Sequence, residues 1–219
     1  MTIRAYNELY LNDAQTFLAN FFDYALCDCK LEPEFLSKIF VNASLSREFE
    51  RGNPGVLSGK SGVEAARELI GTVMPNYRFP DASFSEDRSP AYWAGWALAF
   101  YQWQTVRRFK DIFARVPLAD VLAMYRVFHE MDLTNFVEAM ETRYNAVVLD
   151  TKLKKIREAR GLSQQELSDL SGVKIRSIQL YEQKVNDIDK AQAQTLYKLA
   201  RVLGCNMEDL LEKPEDELQ

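Results

Sequence analysis

The stretch that decides the fold of this chain is LSQQELSDLSGVKIRSIQLYE, residues 162–182. Ser163, followed three residues later by Glu166, is the pattern of a capping box, in which a helix begins. Gly172 is the residue type that most easily adopts the left-handed conformation of a tight turn. We therefore predict two short helices joined by this turn, the second of them with its polar residues facing outward.

The apolar pattern on both sides of this stretch extends it into a small helical domain. We predict a first helix at residues 151–160, ended by Gly161, and later helices at 174–183, 189–203 and 207–212. Apolar residues spaced by three and four positions fall on one face of a helix. The residues expected to close the core are Leu153, Ile156, Leu167, Leu170, Val173, Ile178, Leu196, Leu199, Leu203 and Leu210.

A set of residues in this half has the types and order of a known family. The set comprises Gly161 to Gln164, Leu167, Ser171 to Val173, Ile178, Tyr181-Glu182, Leu199-Ala200, Leu203-Gly204 and Glu208 to Leu211. In these positions the chain resembles the Cro/C1-repressor (XRE) helix-turn-helix family. The resemblance implies an all-α, five-helix, lambda-repressor-like DNA-binding domain. The chain departs from the family at Gln183-Lys184-Val185-Asn186, where the family has a glycine soon after the glutamate.

The outward residues of the second helix of the motif have the chemistry to read DNA. A helix fits the major groove of B-DNA, and residues near its N-terminus reach base edges. With Ile178 turned inward, Arg176 suits a guanine, Gln179 an adenine and Ile175 a thymine methyl, while Lys174 suits a phosphate. The predicted DNA-binding residues are Gln164, Lys174, Ile175, Arg176, Ser177, Gln179 and Leu180.

Three of our assignments come from the resemblance. Gln164 occupies the family position that meets DNA at the start of the motif's first helix, where a helix N-terminus also favours a phosphate. Arg157 and Glu182 occupy family positions that pair as a partly buried ion pair between the first and third helices. We assign this pair to structure, because an unpaired charge at such a place is costly.

Two other interpretations of this half remain: a plain helical bundle with a solvated charged face, and a module of this type that binds protein and no longer reads DNA. The turn glycine, the capping box and the outward row of polar residues together favour the interpretation as a DNA-binding module. One module makes too few contacts for useful specificity in a genome. We therefore expect a homodimer on double-stranded DNA, at a palindromic or repeated operator with half-sites about one helical turn apart.

Charge divides the chain in the same way. The 219 residues suit two domains, and we place a helical partner-binding, dimerisation or sensing domain at 1–148, the helix-turn-helix domain at 149–212 and an acidic tail at 213–219. The net charge is −5, yet residues 151–207 hold 11 basic and 6 acidic side chains. Positive charge is therefore concentrated where phosphates would dock, and the acidic remainder should limit non-specific binding.

Several protein classes do not fit the composition. No apolar run is long enough to cross a bilayer, and the first residues lack a secretory signal. We interpret Cys27, Cys29 and Cys205 as reduced, and expect a cytoplasmic protein without membrane contact. A Cys-x-Cys pair in a chain with one histidine is a poor zinc site, so we expect no metal and no cofactor.

The first 150 residues predict helices without a recognisable site. We expect helices beginning near 12 and 33, a loop at 51–62, and a helix at 62–71 that starts with a capping box of Ser61 and Glu64. An irregular segment at 75–90 follows. We then expect a long aromatic helix at 91–109, ending in solvated Arg107 to Lys110, and helices at 118–129 and 134–146. Residues 145–152 contain no Gly or Pro, so the joint between the halves is expected to be ordered.

Two features of the first 150 residues suggest a nucleotide-binding or catalytic site, but neither has the residues that such a site requires. Gly55 to Ser61 is similar to a phosphate-binding loop, but its first glycine is displaced and Pro54 stands in the required place. His129 is the only histidine, so any histidine triad or multi-histidine metal site would have to use it alone. We interpret it as a half-exposed helix residue.

A third feature is the tryptophan-rich segment 92–103. Its Trp93, Trp96, Phe100 and Trp103 fall on one helical side. Core packing is the default interpretation. The alternative is an exposed aromatic patch that receives a partner protein or a second copy of the chain.

The sequence as a whole predicts a DNA-binding transcription regulator that represses and is not an enzyme. An unfamiliar helical domain joined to such a module resembles the layout of antitoxins in toxin–antitoxin operons, which would make a toxin the partner of residues 1–150. The alternatives are an enzyme in residues 1–150 tethered to DNA, and a protein-interaction scaffold.

Overall fold

The computed structural model describes residues 4–83, 88–147 and 150–212. The secondary structure of these residues is helical, without a strand, so the predicted all-α class is confirmed. The chain divides into two compact units, Met1–Val148 and Leu149–Gln219. The predicted acidic tail at 213–219 lies outside the described residues. None of the described helices is long and apolar enough to cross a membrane.

The first unit is built from nine described α-helices. They are α1 (Leu11–Asp23), α2 (Pro33–Asn42), α3 (Ser44–Glu50), α4 (Pro54–Leu57), α5 (Gly62–Val73), α6 (Pro90–Thr105), α7 (Phe109–Arg115), α8 (Leu118–Phe128) and α9 (Leu133–Ala146). A 3-10 turn, Glu8–Tyr10, leads into α1, and a π-helical turn, Tyr24–Asp28, follows it. The predicted capping box of Ser61 and Glu64 begins α5.

Helix α1 lies at the centre of this unit, and two other helices approach its backbone closely at glycines. A Cβ added to Gly95 of α6 would lie 2.3 Å from the carbonyl oxygen of Leu18. A Cβ added to Gly62 of α5 would lie 2.2 Å from the carbonyl oxygen of Phe17. Because no side chain fits at these distances, both glycines are required for packing on α1. The surrounding core is aromatic, with fully buried Phe21, Phe22, Phe40, Phe49, Phe109 and Phe136.

The predicted end of the long aromatic helix, at residue 109, is wrong. Helix α6 ends at Thr105, because Val106 adopts a left-handed conformation with φ 58°. Phe109 is fully buried and begins α7. Arg107 is not a solvated helix end, since it forms a 2.7 Å ion pair with Glu141. The predicted loop at 51–62 also contains α4, whose start is marked in the sequence by Asn53-Pro54: the Asn53 side chain accepts from the N–H of Gly55.

The aromatic stripe on α6 does not form one exposed patch. Trp93 and Trp103 are buried, whereas Trp96 and Phe100 are half-buried. The indole N–H of Trp103 donates to the carbonyl oxygen of Tyr6 over 2.9 Å. Core packing therefore describes Trp93 and Trp103, and only part of the stripe reaches solvent.

The second unit contains α10 (Lys152–Ala159), α11 (Gln164–Ser171), α12 (Ile175–Glu182) and α13 (Ala193–Leu203). Two 3-10 turns, Ile188–Lys190 and Glu208–Leu210, complete it, and the second of them replaces the expected fifth helix. The buried core comprises Leu153, Leu167, Val173, Ile178, Ile188, Leu196, Leu199, Ala200, Leu203 and Leu210, with Ile156 packed against it.

One predicted core residue of this unit is wrong. Leu170 is 64% exposed. The inward face of α11 is centred on Leu167 and Ser171, which are both buried. At 3.6 residues per turn, Leu170 lies about 100° around the helix from Ser171, outside that face.

Candidate nucleic-acid interface

The start of α11 is fixed by the capping box expected from the sequence. The N–H of Glu166 donates to Oγ of Ser163 over 3.1 Å, and the N–H of Ser163 donates to Oε2 of Glu166 over 2.7 Å. This second bond lowers the pKa of the Glu166 carboxyl. Gly161, in the connection from α10, has φ 70°, as a left-handed cap requires.

The turn between α11 and α12 depends on Gly172. This residue caps α11 with φ 66°, and its N–H donates to the carbonyl oxygen of Ser168 over 2.8 Å. A Cβ added to Gly172 would meet no atom within 4 Å. The requirement for glycine is therefore a requirement of the backbone and not of packing. The hydroxyl of Ser168 donates to the carbonyl oxygen of Val173 over 2.7 Å, which ties α11 to the turn.

A buried ion pair holds α10 to α12. Nε and Nη2 of Arg157 donate to the two carboxylate oxygens of Glu182 over 2.7 and 2.9 Å. The side chains are 8% and 3% exposed. The hydrogen bond with Glu182 raises the pKa of Arg157. Nη1 of Arg157 donates to the carbonyl oxygen of Leu162 over 2.7 Å, so the guanidinium also fixes the connection from α10 to α11.

Gln164 joins this pair, a contact that the sequence did not indicate. Its Nε2 donates to Oε2 of Glu182 over 2.7 Å. Arg157, Gln164 and Glu182 therefore form one polar cluster that connects α10, α11 and α12. An amide nitrogen carries two hydrogens, so Gln164 retains one donor for a phosphate. Its contact with DNA stays a prediction, now combined with a role in positioning α12.

Helix α12 presents the predicted reading residues on its surface. Lys174, its N-cap residue, and Arg176 are exposed, and neither forms an ion pair with a described residue. Ile178 is fully buried and anchors the opposite side of the helix. The remaining predicted contacts, Ile175, Ser177, Gln179 and Leu180, are half-buried. The arrangement places two exposed cations at the N-terminal end of a helix that the polar cluster holds in place.

The turn after α12, where the sequence departs from the family, keeps its shape without a glycine. Lys184 takes a left-handed conformation with φ 56°. The carbonyl oxygen of Leu180 accepts from the N–H groups of Val185 and Asn186 over 3.0 and 3.1 Å. These bonds hold the chain in the turn even though a lysine is strained there.

The rejected candidates have structural explanations. The segment that is similar to a phosphate loop lies after α3 and includes α4, so the strand that such a loop follows is not there. His129 lies just after α8, and its ring stacks on Tyr125 with centroids 4.4 Å apart. Among the described residues, no group of three His, Cys, Asp or Glu side chains is placed to hold a metal ion. Cys27, Cys29 and Cys205 are free thiols.

Comparison with known proteins identifies the second unit. Residues 153–210 match the helix-turn-helix family model. The match runs from α10 to the last 3-10 turn, over the segment whose residues predicted the Cro/C1 type. No curated protein and no solved structure matches the chain. The second unit is therefore a DNA-binding helix-turn-helix domain of the Cro/C1 type.

Proposed function

We propose that this chain is a sequence-specific transcription repressor that reads its operator with α12. The observation that carries the proposal is the pair of exposed cations, Lys174 and Arg176, which form no ion pair with a described residue. They lie on a helix fixed by the buried cluster of Arg157, Gln164 and Glu182. A positively charged helix end that is already rigid loses little conformational entropy when it enters a groove.

The two cations take different roles in this proposal. Arg176 lies inside α12, where a guanidinium can donate two parallel hydrogen bonds to O6 and N7 of guanine. Lys174 lies at the N-cap, where an ammonium group meets a phosphate without reading sequence. Gln179 and Ile175 are half-buried, so each presents only part of its side chain, to an adenine and a thymine methyl respectively.

A homodimer on a palindromic or repeated operator is the proposed binding species. One domain of this size contacts too little DNA to select one site in a genome, and two-fold protein symmetry doubles the contacts. The proposal of repression is that this operator overlaps a promoter, where a bound dimer excludes polymerase. Sedimentation analysis with and without a duplex operator measures the stoichiometry; a single chain bound per operator would contradict the dimer.

Substitutions on α12 test the proposal. A site is first selected from genomic fragments, including the region upstream of the chain's own gene. Arg176→Ala should then weaken binding to that site by about 1–3 kcal/mol and relax specificity at one base pair. Lys174→Ala should weaken specific and non-specific DNA similarly and reduce the salt dependence of binding by about one phosphate contact.

Arg78→Ala is the matched control for charge, because Arg78 is an exposed arginine of the first unit with no role in the proposal. This variant should bind as the unaltered chain does. Equal operator affinity of Arg176→Ala and Arg78→Ala would remove Arg176 as a reader of sequence.

For residues 1–148 we propose a partner-binding, dimerising or sensing role without catalysis. The sole histidine already has both ring nitrogens near protein oxygens: Nδ1 lies 2.8 Å from the Tyr125 carbonyl and Nε2 lies 3.5 Å from Glu130. An antitoxin is the narrower version and rests on the two-unit layout alone. Co-expression with the neighbouring gene product should then give a stable complex that suppresses that product's toxicity. A harmless neighbour that does not bind would end the antitoxin version.

A further inference from the structure

The first unit contains an aromatic pocket that the DNA-binding proposal does not use. Its volume is about 400 Å³, and it lies between α6 and the C-terminal end of α8. The lining residues are Arg88, Tyr92, Trp93, Trp96, Tyr125 and His129. Pockets that bind small molecules have volumes of this size and are lined mainly by apolar and aromatic side chains with few polar groups.

The aromatic lining is fixed by its own packing. Trp93 is buried, and its ring lies edge-on to Tyr125 and Phe136, with centroid distances of 5.8 and 5.2 Å. Tyr125 in turn stacks on His129 at an interplanar angle of 26°. These contacts fix the rings against one another, so a planar apolar molecule would enter a surface that needs little ordering.

Arg88 gives the pocket its charge. The guanidinium carbon lies 4.9 Å from the ring centroid of Tyr92, and Arg88 forms no ion pair with a described residue. The other basic side chain, His129, has one ring nitrogen already bonded to the protein. A carbonyl oxygen can only accept, so Nδ1 of His129 donates to Tyr125, and Nε2 faces Glu130, whose side chain is 85% exposed. An exposed arginine beside an aromatic ring, paired with no described acidic side chain, suits a carboxylate.

We propose that this pocket binds a small planar aromatic carboxylate. The ring of the ligand packs against the aromatic lining and its carboxylate pairs with the guanidinium of Arg88. A pocket of about 400 Å³ has room for a ligand with one or two rings. The aromatic lining and the guanidinium of Arg88, which forms no ion pair with a described residue, select for the combination of a flat apolar body and one negative charge.

Indole-3-acetate and its neutral match, indole-3-acetamide, test both halves of the proposal on the full chain. Calorimetry measures affinity, and the indole N–H resonances of the tryptophans locate the site. Indole-3-acetate should shift the resonances of Trp93 and Trp96 and leave that of Trp103, which is bonded to Tyr6, unchanged. The amide should bind about 10-fold more weakly, because it forms no charge-assisted hydrogen bond.

Two variants test whether the charge of Arg88 contributes to the affinity for the ligand. Arg88→Met keeps an apolar stem, and it should lower the affinity for indole-3-acetate about 10-fold without changing the affinity for the amide. Arg126→Met alters an exposed arginine of α8 that does not line the pocket, so it should change neither affinity. An unchanged Trp103 resonance shows that each variant remains folded.

Three results would overturn the proposal: no shift at Trp93 and Trp96 with millimolar indole-3-acetate, equal affinity for acid and amide, or equal affinity of Arg88→Met and Arg126→Met for the acid. The experiment contains no DNA. Its failure would therefore leave the proposed repressor function untouched, and a failure to find an operator would leave the pocket untouched.

Discussion

At the scale of single residues, the ion pair of Arg157 and Glu182 shows what the sequence can and cannot predict. The pairing followed from matching two positions to a family, and the structure places the groups 2.7 Å apart. The bond from Gln164 to the same carboxylate was missed, because a glutamine at a helix start has an equally good use on a phosphate. Leu170 was wrongly predicted as a core residue. The spacing of apolar residues shows that a helix has an apolar face, but it does not show which residue of that face points most directly into the core.

Removing one member of the ion pair should strongly lower the free energy of unfolding of the second unit. Arg157→Ala or Glu182→Ala should each lower the stability of the second unit by about 3–5 kcal/mol, because a buried charge is left unpaired. Arg157→Met with Glu182→Leu should cost much less than the sum of the two single changes. Amide hydrogen exchange in α10 to α12 of the full chain measures these losses.

The exposed pair of Lys154 and Asp150 is the control for this experiment. Lys154→Ala breaks a 2.6 Å contact between partly exposed side chains and should cost less than about 0.5 kcal/mol. If Arg157→Ala cost no more than Lys154→Ala, the buried pair would not brace α12.

Lys184 is a residue whose own conformation is unfavourable. It adopts φ 56°, which costs a non-glycine residue about 1–2 kcal/mol. Lys184→Gly relieves that strain but adds unfolded-state entropy, so a net stabilisation of about 0.5–1 kcal/mol is expected. Lys184→Ala removes the charge and keeps the strain, and should give no gain. Hydrogen exchange in α12 and α13 compares the two, and a stabilisation by alanine equal to that by glycine would contradict this account.

At the scale of elements, local signals predicted helix starts well and helix ends poorly. The capping boxes at Ser61 and Ser163 depend on residues three apart, so they are visible in the sequence. The break after Thr105 is different. It has no glycine or proline to mark it, and α7 begins there because the core buries Phe109. Tertiary packing of that kind leaves no local pattern.

Close helix packing gives a prediction at this scale. Gly95→Ala places a methyl group 2.3 Å from a backbone oxygen of α1, so α6 must move away from α1. We expect a loss of about 2–3 kcal/mol or more in the stability of the first unit. All three tryptophans lie on α6, so tryptophan fluorescence during urea unfolding reports on this unit.

Gly71→Ala is the matched control for Gly95→Ala. It also replaces a helical glycine, but its added Cβ would meet only Phe79, at 3.7 Å. We expect a gain of about 0.4–1 kcal/mol from the reduced freedom of the unfolded chain. A loss of equal size at both positions would show that the contact between α6 and α1 is not the cause.

At the scale of the whole molecule, the two units differ in how much of their structure could be predicted from the sequence. The second unit is predictable because turn glycine, capping box and apolar spacing agree with one family, and its match covers residues 153–210. In the first unit, α6 buries side chains all around, so periodicity could not tell which of its aromatic residues line a pocket. Charge remains the clearest feature of the chain as a whole, since a net charge of −5 conceals the excess of 11 basic over 6 acidic side chains in residues 151–207.

The central claim is that α12 reads the sequence of duplex DNA, and selection from genomic fragments by the full chain at physiological salt tests it most directly. The account predicts enrichment of a discrete site with two half-sites about one helical turn apart. It also predicts that Arg176→Ala loses that enrichment while Arg78→Ala keeps it. Enrichment of no sequence by the unaltered chain, or of the same sequence to the same degree by Arg176→Ala, would contradict the claim.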